Sequence, residues 1–301
     1  MAISATNVQS HDWGDRRPDL FIDTMVKSAA VLNRFSLVDG VKNKVNVPIF
    51  DVTSSAFATG DDCEFLDNTT ADIDEKEMTV ETFNYGFKNC KHVLEKSYRG
   101  LALKKGQHNP ETMDAEFRNW VFDYFAKLAS QKALTYAASE LVGEMQTDAG
   151  VIDYDTAAAL STSNILDKMQ GAYEAMSDVM LSAIYGDADR EFKPAFFLGT
   201  AAYQMYQIAI AELHTTTPAG IIAGELPTYY GMEVIHFPSL AADTFFISAP
   251  QNLVMLTDDY NDVKAIDAEY EAKENAEYLW GRFKLGFSFY KAEEIVLAEE
   301  A

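Results

Sequence analysis

The chain has 301 residues, 48% of them hydrophobic and 24% charged, enough to bury a substantial core and too apolar for a disordered protein. Its 47 acidic residues outnumber its 24 lysines and arginines, giving a formal net charge of -23 and a pI near 4.5. That balance repels nucleic acid and anionic membranes, so free-standing binding to either is excluded as the chain's main task.

Residues 1 to 42 open with polar sequence and a break at Pro18, then give a short helical pattern from Leu20 through Ile22, Met25, Val26 and Ala30 to Phe35. An arm of this kind, poor in core residues of its own, orders against the body or a partner chain. From Lys44 the apolar period changes to two. Val45, Val47 and Ile49 alternate with Asn46 and Pro48, and Phe83, Tyr85 and Phe87 alternate with Asn84 and Gly86. With a polar, acidic stretch between them, these runs predict a long hairpin whose tip reaches away from the body, and Pro48 places the first strand at an edge. An unsupported tip has little burial to offset its ordering entropy, so it is expected to lie on a neighbour.

Charge sharpens that expectation. Asp61, Asp62, Glu64, Asp67, Asp72, Asp74, Glu75 and Glu77 surround the single base Lys76, a net of -7. Just downstream, Lys88, Lys91, Lys96, Arg99, Lys104 and Lys105 face Glu95 alone, a net of +5. Blocks of opposite sign predict complementary surfaces between subunits, and two solvated faces of one hairpin would carry the same charges.

From Asn109 to about Gly143 the chain predicts one long helix. Asn109 is a good N-cap, Pro110 suits the first turn, Glu111 and Asp114 favour the positive end of the dipole, and Phe117, Trp120, Val121, Tyr124, Phe125, Leu128 and Ala129 form an apolar stripe. Such a helix is roughly 50 Å long, against a radius of gyration of about 19 Å for a compact chain of this size. It suits a flat, extended subunit.

Asn164 to Ile184 predicts a second helix, capped by Thr162 or Ser163, with Met169, Met176 and Met180 read as core. A buried strand at 192–198 and a helix at 200–213 follow. The segment 219–231 reads as loop, and 232–237 and 244–248 as short strands. The C-terminal part alternates at period two over Ile266 to Ala272 and Phe283 to Phe289, predicting a long antiparallel hairpin with one wet face and the long helix on its dry face.

Catalytic machinery is missing from this text: there is no GxSxG, HExxH, GxGxxG, phosphate loop or CxxC, and no catalytic, cofactor or metal residue is nominated. His11, His92, His108, His214 and His236 have no metal-binding spacing. Asp258, Asp259 and Asp262 lack the alternating oxygens and glycine of a calcium loop and are read as solvated. Cys63 and Cys90 make neither a disulfide framework nor a zinc site and read as free thiols in a reducing cytosol. No signal peptide is expected, and the apolar run Ala195 to Leu213 is interrupted by Gly199, Gln204, Gln207 and Glu212, so no membrane span is expected either.

The order of elements (arm, extended hairpin, basic link, long helix, α/β insertion, terminal β-hairpin) resembles tailed-bacteriophage major capsid proteins of the Hong Kong 97 type. The local text that carries the resemblance runs from Leu226 to Val234, then through Thr244 to Pro250, Tyr278 to Phe287 and Lys291 to Ile295. The resemblance implies an α+β fold with an N-terminal arm at 1–42, an extended loop at 43–98, a peripheral domain at 99–150 and 261–291 built on a long spine helix, and an axial domain at 151–260 and 292–301. It implies a non-enzymatic homo-oligomer of hexamers and pentamers, assembled in the host cytoplasm into the icosahedral shell of a virion. The shell would enclose double-stranded DNA without sequence-specific binding, with separate scaffold, portal and decoration proteins as partners and no membrane. Some relatives crosslink an extended-loop lysine to a neighbour's asparagine; Lys42, Lys44 and Lys76 would be the donors here, though no pattern singles one out and no crosslink is expected. A bacterial nanocompartment shell of the encapsulin kind is the alternative, and a soluble α+β enzyme with an unrecognised site the third reading.

Overall fold

The computed structural model describes residues 30–52, 71–90, 115–185, 193–213, 228–258, 266–271 and 276–300. Two sheets share one apolar core, and a separate two-stranded ribbon is seated on the outside of the first sheet.

The first sheet is organised on β12, Ala276–Phe289. One edge of β12 pairs antiparallel with β11 (Ile266–Glu271) and then with β10 (Leu253–Thr257), and its other edge pairs with β4 (Glu81–Cys90). Strand β1, Ser36–Val38, runs parallel to β10 at the margin. The second sheet has six strands in the order β5 (Ile152–Asp155), β13 (Ile295–Glu299), β9 (Phe245–Ser248), β6 (Ala195–Leu198), β8 (Met232–His236) and β7 (Thr228–Tyr229).

Alternation along these strands sorts side chains into three cores. Phe197, Phe246, Ile295 and Leu297 face the central core, where they meet Leu253, Met255, Phe283, Leu285, Phe287 and Phe289 of the first sheet. On the opposite face of the second sheet, Phe196, Leu198, Phe245, Ile247, Val296 and Ala298 pack on helices α2 (Ile165–Glu174), α3 (Asp178–Tyr185) and α4 (Thr200–Leu213). Val254 and Leu256, on the outer face of the first sheet, meet Val41, Met78 and Val80 at the ribbon's root. The end of the arm is pinned in the central core. Phe35 stands edge-on to Phe197, Phe237 and Phe287 at centroid distances of 6.4, 6.2 and 6.4 Å, a geometry that aromatic quadrupoles favour.

Helix α1, Ala115–Thr147, has 33 residues and is therefore about 50 Å long. The predicted cap at Asn109 lies outside the described residues. Of the predicted stripe, the side chains of Phe117, Trp120, Val121, Tyr124 and Phe125 lie outside the described residues, Leu128 is 41% exposed and Ala129 packs half-buried on the central core. The buried stripe continues beyond it, through Ala133, Leu134, Ala137, Ala138, Leu141 and Met145. Nor does Gly143 end the helix, which continues for another turn.

Three further expectations need correction. The ribbon pairs β2, Lys44–Val52, with β3, Ala71–Thr79, rather than with the Phe83 to Phe87 run. The acidic text of β3 has low intrinsic strand preference, and the aromatic run goes instead to β12, where Phe83 stacks on Phe283 at 5.4 Å and meets Tyr136 edge-on at 4.9 Å. The segment Asn164 to Ile184 forms two helices. Ser177 restarts the second, its hydroxyl accepting the Met180 N–H at 3.4 Å, as an N-cap does. Finally, the end of β12 from Leu285 to Phe289 pairs with β10 and not with β11, Phe283 lies opposite Phe83 of β4, and the second face is covered, because the ribbon's root lies against Gly286.

Candidate functional site: assembly surfaces and the hairpin root

The ribbon of β2 and β3 carries the acidic block. In its register Asp72 lies opposite Asp51 and Asp74 opposite Ile49. Asp61, Asp62, Glu64 and Asp67 lie outside the described residues, as do Lys91, Lys96, Arg99, Lys104 and Lys105. Lys88 is on β4, opposite Tyr278 of β12, with its ammonium 5.2 Å from the Tyr278 ring. The described residues therefore do not bring the acidic and basic blocks together within one chain.

What the ribbon does contact is the C-terminal end of α1. Backbone ties hold its root: Val80 N–H donates to the Asn43 carbonyl at 3.0 Å, and Val41 N–H to the Thr257 carbonyl at 2.9 Å. One turn of strand further out, Lys76 reaches back to the body. Its ammonium lies 2.8 Å from Glu144 Oε1, 3.7 Å from Asp148 Oδ2 and 3.2 Å from the centre of the Phe289 ring. The nitrogen is buried and, among the described residues, is held by charge at an angle that makes no hydrogen bond. Glu144 is oriented by the Ser288 hydroxyl, which donates to Oε1 at 2.9 Å, and Asp148 by accepting the Gly150 N–H on Oδ1 at 3.0 Å.

Beside this contact, a cleft of about 460 Å³ runs between β3 and α1, lined by Glu77, Thr79, Ser139, Glu140 and Gly143 among others. The Glu140 carboxyl is pushed above its ordinary range by burial and then by the charge of Glu81, partly offset by a hydrogen bond from Tyr136. Burial and the same carboxylates push the Tyr136 phenol upward.

Sequence reasoning noticed Lys76 as the lone base of the acidic block but did not give it a partner. The available signal was Glu144 and Asp148, two acids four residues apart in the last turn of the helix and just past its end. Asp258, weighed for calcium, is paired with Lys284 at 3.0 Å, while Asp259 and Asp262 lie outside the described residues. His236 approaches the Thr200 hydroxyl at 3.0 Å through Nε2, and burial pulls its pKa down; the other four histidines are outside the described residues. Among the described residues no cluster of His, Cys, Asp and Glu could hold a metal, and no helix is long and apolar enough to cross a membrane.

No protein-family model and no curated protein sequence matches this chain. Solved structures do. The satellite phage P4 procapsid that includes the size determination (Sid) protein matches with a TM-score of 0.58 at 13% identity, covering 93% of this chain and 97% of that one. The fold is that of Hong Kong 97-type capsid proteins. The capsid of the native GTA particle matches with a TM-score of 0.56 at 13% identity over 91% of this chain and 90% of that one. A virus-like particle from Pyrococcus furiosus matches with a TM-score of 0.55 at 10% identity over 99% and 100%.

Proposed function

We propose that this chain is the major capsid protein of a tailed bacteriophage, a non-enzymatic subunit that self-assembles through hexamers and pentamers into an icosahedral virion shell around double-stranded DNA. The observation that carries the reading is the likeness to the phage P4 procapsid and the GTA capsid over 93% and 91% of this chain. A net charge of -23 suits a shell that encloses DNA without adhering to it. We assign α1, as the spine helix, and β12 to the peripheral domain (99–150 and 261–291), the second sheet with α2 to α4 to the axial domain (151–260 and 292–301), and the ribbon of β2 and β3 to the extended loop (43–98); the strand β10, inside the axial range, pairs with β12. Assembly takes place in the host cytoplasm, with scaffold, portal and decoration proteins supplied separately.

Expression of the full chain, alone and with a candidate scaffold protein, followed by electron microscopy, tests the proposal. Closed icosahedral particles are expected. A protein that stays monomeric under every assembly condition overturns it.

The likeness to the Pyrococcus furiosus virus-like particle supports a second reading, a nanocompartment shell. Purification from the native source separates the two, since nuclease-protected double-stranded DNA inside the particles favours the virion and a co-purifying enzyme the nanocompartment.

At the seams, the tip of the acidic hairpin lies on the basic segment, residues 88–105, of a neighbouring subunit. Asp61, Asp62, Glu64, Asp67, Asp72 and Asp74 provide one sign and Lys88, Lys91, Lys96, Arg99, Lys104 and Lys105 the other. The double substitution K104E/K105E is expected to leave the monomer folded and to abolish closed shells; normal shells from it would exclude this pairing.

A further inference from the structure

A two-stranded ribbon is marginal by itself, so its pitch against the body depends on the contacts at its root. Met78 and Val80 pack on Val254 and Leu256 and seat the innermost part. Beyond them, Lys76 makes the outermost described contact between ribbon and body, and four physical terms converge on its ammonium. Glu144 and Asp148 supply two carboxylates, the negative end of the α1 dipole lies in the same turn, and Phe289 presents its electron-rich face. A buried ammonium is tolerated only when it is compensated in this way.

The surroundings make the contact one-sided. Glu140 lines the cleft on the helix side, where burial, and then the charge of Glu81, hold its carboxyl above its ordinary range. On the ribbon, Glu77 is engaged separately, by Lys44 at 2.6 Å on the exposed face. Without the Lys76 charge, Glu144 and Asp148 would join this acidic lining opposite an acidic strand. The ribbon would then be repelled by the helix it now rests on.

We propose that Lys76 is an ionic latch that holds the extended ribbon at a fixed pitch against the end of the spine helix, and that neutralising it releases the ribbon outward. The consequence for particle shape rests on the shell reading above, because the pitch of the ribbon decides how it meets a neighbour; the latch itself does not.

The experiment is hydrogen–deuterium exchange on the full-length, unassembled chain, comparing wild type with K76M, K76E, E144K and the exchanged pair K76E/E144K. K76M keeps the length and the packing on Phe289 while removing charge. It is expected to speed exchange at the root, residues 41–47 and 76–80, by about 10-fold or more, the size of a typical coupling between contacting residues, with the second sheet unchanged. K76E is expected to exceed it, and the exchanged pair to recover most of the protection. Root exchange in K76M within about two-fold of wild type, or an exchanged pair no better protected than K76E alone, overturns the latch. A K76M chain too unstable to purify leaves the comparison of K76E with the exchanged pair to decide. In the particle, K76M is expected to give shells of mixed diameter; failure of wild type to assemble would count against the shell reading while leaving the exchange result intact.

Discussion

The six-stranded sheet and the ribbon of β2 and β3 represent opposite ways of stabilising β-structure. In the six-stranded sheet, the strands β6, β9 and β13 bury almost every residue, since one face meets the spine-helix core and the other the three short helices. The ribbon is covered at its root and, among the described residues, shows no apolar cluster beyond Val45 and Val47. One region is complete within the chain; the other, among the described residues, meets the body only at its root and at Lys76.

The largest expected effect falls on the complete region. Phe246 is fully buried and stacks on Phe197 at 4.7 Å, so Phe246→Ala is expected to cost about 3–5 kcal/mol. Chemical denaturation would measure it. Because the central core joins both sheets, a single cooperative transition at lower denaturant is expected; two separate transitions would break the picture of a shared core.

Gly286 tests the seating of the ribbon. An added Cβ there would collide with the Thr79 backbone carbonyl and crowd Leu256. Gly286→Ala is expected to cost about 1–3 kcal/mol and to lift the root, seen as faster exchange at Thr79 and Val80 with the six-stranded sheet unaffected. Equal loosening of both regions would erase the distinction between them.

Glu140 gives a pH dependence. A folded-state pKa raised above the ordinary 4.5 contributes stability that is complete below that value and is lost as pH rises through the raised value. Wild type is therefore expected to lose stability upward from pH 4.5, and Glu140→Gln to remove that slope and melt higher at neutral pH. Thermal melts across the window would show it, and a variant that keeps the slope would assign it to another group.

The smallest effect belongs to Lys44, whose pair with Glu77 is exposed at both ends, 58% and 51%. Lys44→Ala is expected to change unfolding free energy by less than about 0.5 kcal/mol. A larger loss would show that the exposed ribbon pair and the buried latch are not different in kind.

The sequence made the long helix, the strand at β6, helix α4 and the dry face of β12 legible because each repeats its apolar period for several turns or registers. Partner choice was less visible. Nothing in the aromatic run of β4 says that it joins β12 across roughly 190 residues and not β2, its neighbour in the text. The strands β5, β10 and β13 were too short or too uniformly apolar to separate from buried helix by period. At the hairpin root, the lone lysine was visible, but its partners depend on where α1 ends, and the helix runs past the glycine that was expected to stop it.

Strand β12 also sets a schedule. Cys90 pairs with Ala276, and Val296 lies between Ile152 and Ile247. Both sheets therefore wait for strands that follow residue 275. At synthesis rates of about 5–20 residues per second, β4 waits roughly 10–40 s for its partner. A polypeptide stopped before Ala276 would lack the strand that joins β4, β10 and β11, and with it the sheet on which the root of the ribbon rests. Unfinished chains are thus denied a seat for the ribbon by topology alone.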